Sequence, residues 1–162
     1  MQPPDVIQRS VLPSVLVADV NALGMIGVLR SLGRAGYRVH GYSSNPEALG
    51  FASKFNSHPI LAPSYSDQHF VPWLRTYLEA HAIDALVPTE ACLLALLPHL
   101  DEFRALLPLL PPRSTLELCF SKVRVVESFL EASDSKLTSC MPVSGTFHRD
   151  TALLEGDAVR EL

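Results

Sequence analysis

Residues 14–18, SVLVA, form a nearly unbroken apolar run of strand length, as expected of a strand covered on both faces of a parallel sheet. The apolar positions that follow recur at helical spacing. Ala22, Met25, Ile26, Val28, Leu29, Leu32 and Ala35 share one face of a helix over 22–35, and Arg30, Ser31 and Arg34 lie opposite. Gly36 is placed to close that helix. YRVHGYS (37–43) alternates and forms a second strand, and HPILA (58–62) a third. Phe70, Trp73, Leu74, Tyr77 and Leu78 then return to helical spacing. Ser66 is available as an N-cap there, and Pro72 suits the first turn of a helix starting near Val71. IDALVP (83–88) is the next strand, Thr89 caps the helix after it, and Pro98 splits that helix into 90–97 and 99–107. Helices are expected at 114–120 and 122–132, an extended segment at MPVSGTF (141–147), and one more helix from Asp150.

Strands alternating with helices predict an α/β fold, a Rossmann-like parallel sheet flanked by helices, over 1–112, with linker helices over 113–162. Ligands in such sheets bind beyond the carboxyl ends of the strands, here near 19–24, 43–47 and 88–91. A dinucleotide fingerprint needs G-x-G-x-x-G and an acid ending the second strand. Gly24 and Gly27 match its last two glycines, but Ala22 stands where the first belongs. The second strand ends in Ser43, Ser44 and Asn45. A framework turn therefore fits better than a dinucleotide loop, with Gly27 expected to let the helix pack close on the strand.

Asp19 and Asn21 sit at the rim past the first strand. Capping the first helix is the role expected of one of them, and ligand contact is the rival. Glu90 has the same two readings, as a first-turn acid favoured by the helix dipole or as a substrate contact. Trp73 and Tyr77, four apart, are read as packing residues rather than a stacking platform.

Composition narrows the function. The chain has 162 residues and a formal net charge of −4, with no basic stripe, which argues against a general nucleic-acid binder. No apolar run approaches the ~20 residues of a membrane span, and the N-terminus lacks the form of a signal peptide. Three cysteines (Cys92, Cys119, Cys140) form no CxxC pair and are read as reduced thiols of a cytoplasmic protein. Six histidines show neither HExxH nor an i, i+4 pair, so no metal site is expected. G-x-S-x-G and P-loop motifs are absent, and residue chemistry alone yields no catalytic constellation.

Three stretches carry a resemblance: 15–55 (VLVADVNALG through FASKF), IDALVPTEACLLALL, and LELCFSKVRVVESFLEAS. In this order they resemble the N-terminal region of ATP-grasp carboxylate–amine ligases, nearest the carbamoyl-phosphate-synthase-like and amino-acid ligase branches. The resemblance covers about 14–161. It implies a pre-ATP-grasp domain ahead of a two-part grasp, in an enzyme that activates a carboxylate as an acyl phosphate with Mg-ATP before an amine displaces the phosphate. FSKVR is similar to the family's D-K motif, which assigns ATP contact to Lys122. Ser121 replaces the usual aspartate there, and Ala82 replaces a usual helix-ending glycine. Asp19, Asn21 and Glu90 would then face a small-molecule carboxylate or amine substrate.

The family's second lysine, adenine clamp and metal ligands would all lie downstream. The chain is therefore expected to be an N-terminal piece, silent alone and binding neither ATP nor Mg tightly, that supplies a cleft wall and a homodimer surface. A NAD(P)-binding oxidoreductase domain and a non-catalytic binding or dimerisation module are the rivals.

Overall fold

A computed structural model of the chain describes residues 12–107 and 110–131. Its contacts divide the chain between Leu110 and Pro111 into two units. The extended segment at 141–147 and the helix from Asp150 lie outside the described residues.

In the first unit four short strands pair in parallel: β1 (Ser14–Val17), β2 (Arg38–Ser43), β3 (His58–Leu61) and β4 (Ala85–Val87). Their order is β3-β2-β1-β4, so the chain steps outward from β1 through β2 to β3 and then returns to the far side of β1. Val15 sits opposite Val39 on one side and Ala85 on the other. The result is a Rossmann-like α/β architecture.

Alternation divides the strand side chains between two helical layers. On one face Val15, Val17, Val20 and Val39 join Leu29 of α1 (Leu23–Arg34) in a buried cluster, with Met25, Val28 and Leu32 packed against it. On the other face His40 and Tyr42 of β2 meet the rings of α2 (Phe70–Ala80). All four residues of β1 are buried, which is why its sequence shows no polar alternation. Each fully buried aliphatic side chain in these layers contributes about 1.5–3 kcal/mol.

Two glycine expectations part here. Gly36 takes φ +92° and closes a Schellman motif: its N–H donates to the Gly33 carbonyl (3.2 Å) and the Tyr37 N–H to that of Leu32 (3.1 Å). Gly27 is exposed, and a Cβ placed on it would meet nothing within 4 Å. It does not mediate helix–strand packing, because it lies outside the buried stripe of α1. The close approach on this helix is at Gly33, where a Cβ would lie 2.5 Å from that of Phe55.

Helix α2 ends with the same motif. The Ile83 N–H donates to the Leu78 carbonyl (3.1 Å) and the Ala82 N–H to that of Glu79 (3.3 Å), with Ala82 held at φ +45°. Its N-cap is His69 rather than Ser66; the turn leading in is closed by Asp67, whose Oδ1 accepts from the His69 N–H at 2.8 Å. Pro72 lies in the first turn, where its missing N–H costs nothing. Thr89 caps α3 (Glu90–Leu96), and Pro98 falls in a 3-10 turn over Leu97–His99 before the short α4 (Leu100–Phe103). A two-pronged ion pair between Arg75 and Glu102 ties α2 to α4.

The second unit carries α5 (Arg113–Cys119) and α6 (Lys122–Glu131). Ser121 caps α6, its Oγ accepting from the Arg124 N–H at 3.3 Å. Serine and aspartate cap helices about equally well. Among the described residues no helix is long and apolar enough to cross a membrane.

Candidate functional site

Strand order reverses between β1 and β4, and the loops leaving the carboxyl ends of the strands meet there. The Ala18 N–H donates to the Val87 carbonyl (3.0 Å), carrying the pairing to the rim. Asp19 follows in a left-handed conformation, φ +47°, and its carbonyl accepts from the Ala22 N–H (2.8 Å) to close a turn into α1. A left-handed non-glycine residue is uncommon and persists only where its surroundings hold it. Here the holding groups are visible.

Asp19 Oδ2 accepts from the Tyr65 hydroxyl at 2.7 Å and from the Thr89 hydroxyl. Tyr65 comes from the loop after β3 and Thr89 from the end of β4, so the carboxylate ties three strand ends together. Thr89 serves twice, since its Oγ1 also accepts from the Cys92 N–H (3.3 Å) as the cap of α3. Beneath them the Tyr65 and Tyr42 oxygens are 3.3 Å apart, and Tyr42 Oη is 3.2 Å from Cys92 Sγ.

Hydrogen inventory orients this chain. Each hydroxyl carries one hydrogen and a carboxylate only accepts. Tyr65 gives its hydrogen to Asp19, and Tyr42 gives its own to Cys92 Sγ. Titration behaviour agrees. Burial pushes Tyr65 and Tyr42 well above the ordinary phenol range and Cys92 up to about 11, so all three stay protonated. Cys92 is therefore a buried thiol that accepts from Tyr42 and not a nucleophile, whose reactive form would be the thiolate.

The capping role expected of Asp19 or Asn21 is not observed. The N-cap of α1 is Ala22, with no side-chain bond, because the turn commits the Asp19 carboxylate to Tyr65 and Thr89. Asn21 is exposed in that turn. Glu90 is exposed at the first position of α3, directly after Thr89. Asp19, Asn21 and Glu90 thus stand at the ends of β1 and β4, whereas Lys122 opens α6 in the second unit. Within 43–47 the polar groups serve turns: Ser43 Oγ accepts from the Asn45 N–H (3.1 Å) and Asn45 Oδ1 from that of Glu47 (2.9 Å).

Pattern reading missed Tyr65, Tyr42 and Cys92, which lie 46, 23 and 27 residues from Asp19 or Tyr65 along the chain. Only the position of Tyr65 just past a strand end could have drawn notice. It also missed a second polar cluster on the α2 face. His40 and His58 are opposite each other in the β2–β3 register and stack at 4.2 Å, and His81 at the end of α2 lies 5.6 Å from His40. His40 Nδ1 is 2.7 Å from the Tyr77 hydroxyl, while its buried Nε2 has no partner among the described residues. Burial, then His58, His81 and Arg38, holds the His40 pKa down at about 4. Among the described residues no group of three or more His, Cys, Asp or Glu is placed to hold a metal ion.

Fold and rim together define a Rossmann-like α/β domain with a polar cluster at its switch point. No protein-family model matches the chain, and no curated protein matches it.

Proposed function

We propose that this rim is a small-molecule site and that the first unit is the pre-ATP-grasp domain of an ATP-dependent carboxylate–amine ligase. The observation that carries the binding reading is the Asp19 carboxylate, fixed by Tyr65 and Thr89 where the strand order reverses. A carboxylate held by hydroxyl donors on one oxygen is positioned to accept from an amine or hydroxyl with the other, and both of its bonds among the described residues fall on Oδ2. Glu90 and Asn21 flank it. The ligase reading rests in addition on the resemblance from the first strand to FSKVR. In that reading Lys122 is the ATP contact, and Ser121 does the capping that an aspartate would do.

Acyl-phosphate chemistry needs several cations converging on the transferring group. The reading therefore assigns this chain a cleft wall, with ATP and Mg held mainly by a partner segment of the parent enzyme. Amide NMR of the 162-residue chain titrated with amino acids, simple carboxylates, amines and NAD(P) tests it. Shifts centred on Asp19, Asn21, Thr89 and Glu90 with an amine-bearing carboxylate, abolished in Asp19→Asn, are expected. Tight NAD(P) binding would replace the ligase with an oxidoreductase domain. ATP-dependent phosphate release by this chain above a Lys122→Ala control would overturn its assignment as silent alone.

A further inference from the structure

On the α1 face, at the end of the sheet opposite the rim, lies a groove of about 380 Å³ lined by Arg30, Arg34, Ala52, Ser53, Lys54 and Phe55. Arg34 is the last residue of α1, and Lys54 and Phe55 come just before β3, which places the groove beside the amino ends of the strands. Its floor is the Phe55 ring, seated on Gly33, where any Cβ would collide with it. The Arg34 guanidinium lies 5.7 Å and the Lys54 ammonium 5.2 Å from the centre of that ring. Among the described residues no acidic one lines the groove.

None of the three cations forms an ion pair among the described residues, which is also true of Arg38, Lys122 and Arg124. What sets them apart is that all three line one groove in a chain of net charge −4. Arg30 and Arg34 are one helical turn apart, and like charges at that spacing are mutually unfavourable. The dipole at the end of α1 accounts for Arg34, but its effect fades within the last turn and leaves Arg30 and Lys54 unexplained. Two guanidinium forks and an ammonium converging from two elements form a receptor for a polyvalent oxyanion. The volume exceeds one phosphate and falls in the range of small-ligand pockets.

We propose that this groove binds the phosphate groups of a small phosphorylated ligand, with Arg30 and Arg34 clasping the oxygens and Lys54 closing the far side. The site is separate from the rim, and its test does not depend on the ligase reading.

Inorganic pyrophosphate, inorganic phosphate and citrate are titrated into the full chain at fixed ionic strength, followed by amide NMR and calorimetry. Saturable pyrophosphate binding is expected, tighter than phosphate, with shifts at Arg30, Arg34 and residues 52–55. Arg30→Gln with Arg34→Gln should weaken it at least tenfold and Lys54→Gln several-fold, while Arg104→Gln, outside the groove, leaves it unchanged. Glutamine keeps helix propensity, and circular dichroism checks that the variants fold. Absence of saturation, tighter binding of citrate than of pyrophosphate, or equal binding by the folded double variant would overturn the proposal. So would loss of binding in Asp19→Asn with the groove variants unaffected, an outcome that would move the anion to the rim.

Discussion

Two polar clusters hang from the same face of β2, two residues apart, and they differ in what they leave unsatisfied. At the carboxyl end Tyr42 belongs to a chain in which every hydroxyl hydrogen has an acceptor. Toward the amino end His40 has one ring nitrogen engaged and the other buried without a partner among the described residues. Each cluster also adjoins a left-handed non-glycine residue, Asp19 at the rim and Ala82 beside His81. At Asp19 the unusual backbone positions a carboxylate that two hydroxyls use. At Ala82 it positions a methyl group for which no comparable use is visible. Strain accompanied by a completed polar chain marks the candidate site; strain beside an orphaned nitrogen marks a place where the fold itself is loaded.

The largest expected effect is the pH response of the histidine cluster. An unfolded chain protonates His40 near pH 6.5, but the folded chain does so only near 4. Between those values the unfolded state binds the extra proton, so this residue's contribution is fully present above about pH 6.5 and is lost as pH falls toward 4. The shift corresponds to at most about 3–4 kcal/mol. His58, His81 and Arg38 face the ring and oppose its protonation, while Tyr77 touches Nδ1. Urea midpoints at pH 7, 5.5 and 4.5 should fall more steeply for the native chain than for His40→Phe. Equal slopes would remove the cluster from the comparison.

At the rim, Tyr65→Phe should cost about 1–2 kcal/mol, because it takes one donor from Asp19 and removes the hydroxyl that meets Tyr42. Tyr65 is only partly buried, so water can replace the lost donor at Asp19 and the cost stays moderate. Chemical denaturation measures it. A neutral result would mean that the chain of hydroxyls is not what holds the left-handed turn.

The two left-handed residues should respond to glycine with opposite signs. Ala82→Gly removes the Cβ from a strained position and should stabilise by about 1 kcal/mol, the use glycine already has at Gly36 in the matching motif of α1. Asp19→Gly relieves the same strain but deletes the carboxylate, and should destabilise. Thermal unfolding of the pair checks both; a gain in each would sink the reading of Asp19 as a held functional residue.

What could be read along the chain was whatever depends on near neighbours. The apolar run of β1, the stripe of α1, Gly36, Thr89 and Pro98 act within a turn or a strand, and their roles follow from spacing alone. Parallel pairing follows from the alternation of elements, and it brought Asp19, Asn21 and Glu90 to the rim. The hydroxyl chain, the stacked histidines and the basic groove escaped notice because each is assembled from separate elements. His40, His58 and His81 show no helical spacing and meet only through strand register and the seating of α2. Gly27 failed for the reverse reason, since a glycine in a helix looks the same in sequence whether a neighbour crowds it or nothing does.

That ambiguity supplies the smallest expected effect, and it compares two glycines of one helix. Gly27 faces open space on an exposed side of α1, so Gly27→Ala should stabilise by about 0.5–1 kcal/mol through helix propensity and a less free unfolded chain. Gly33→Ala enjoys the same propensity gain, yet its Cβ would fall 2.5 Å from that of Phe55, a backbone-anchored atom that cannot rotate away. The net effect there should be a loss, with Phe55 displaced from the floor of the groove. Thermal unfolding gives both signs, and phosphate titration of Gly33→Ala shows whether moving the ring also disturbs the groove. If Gly27→Ala proves destabilising instead, something in solution packs against the first turns of α1. The open rim beside Asp19 would then be a covered surface.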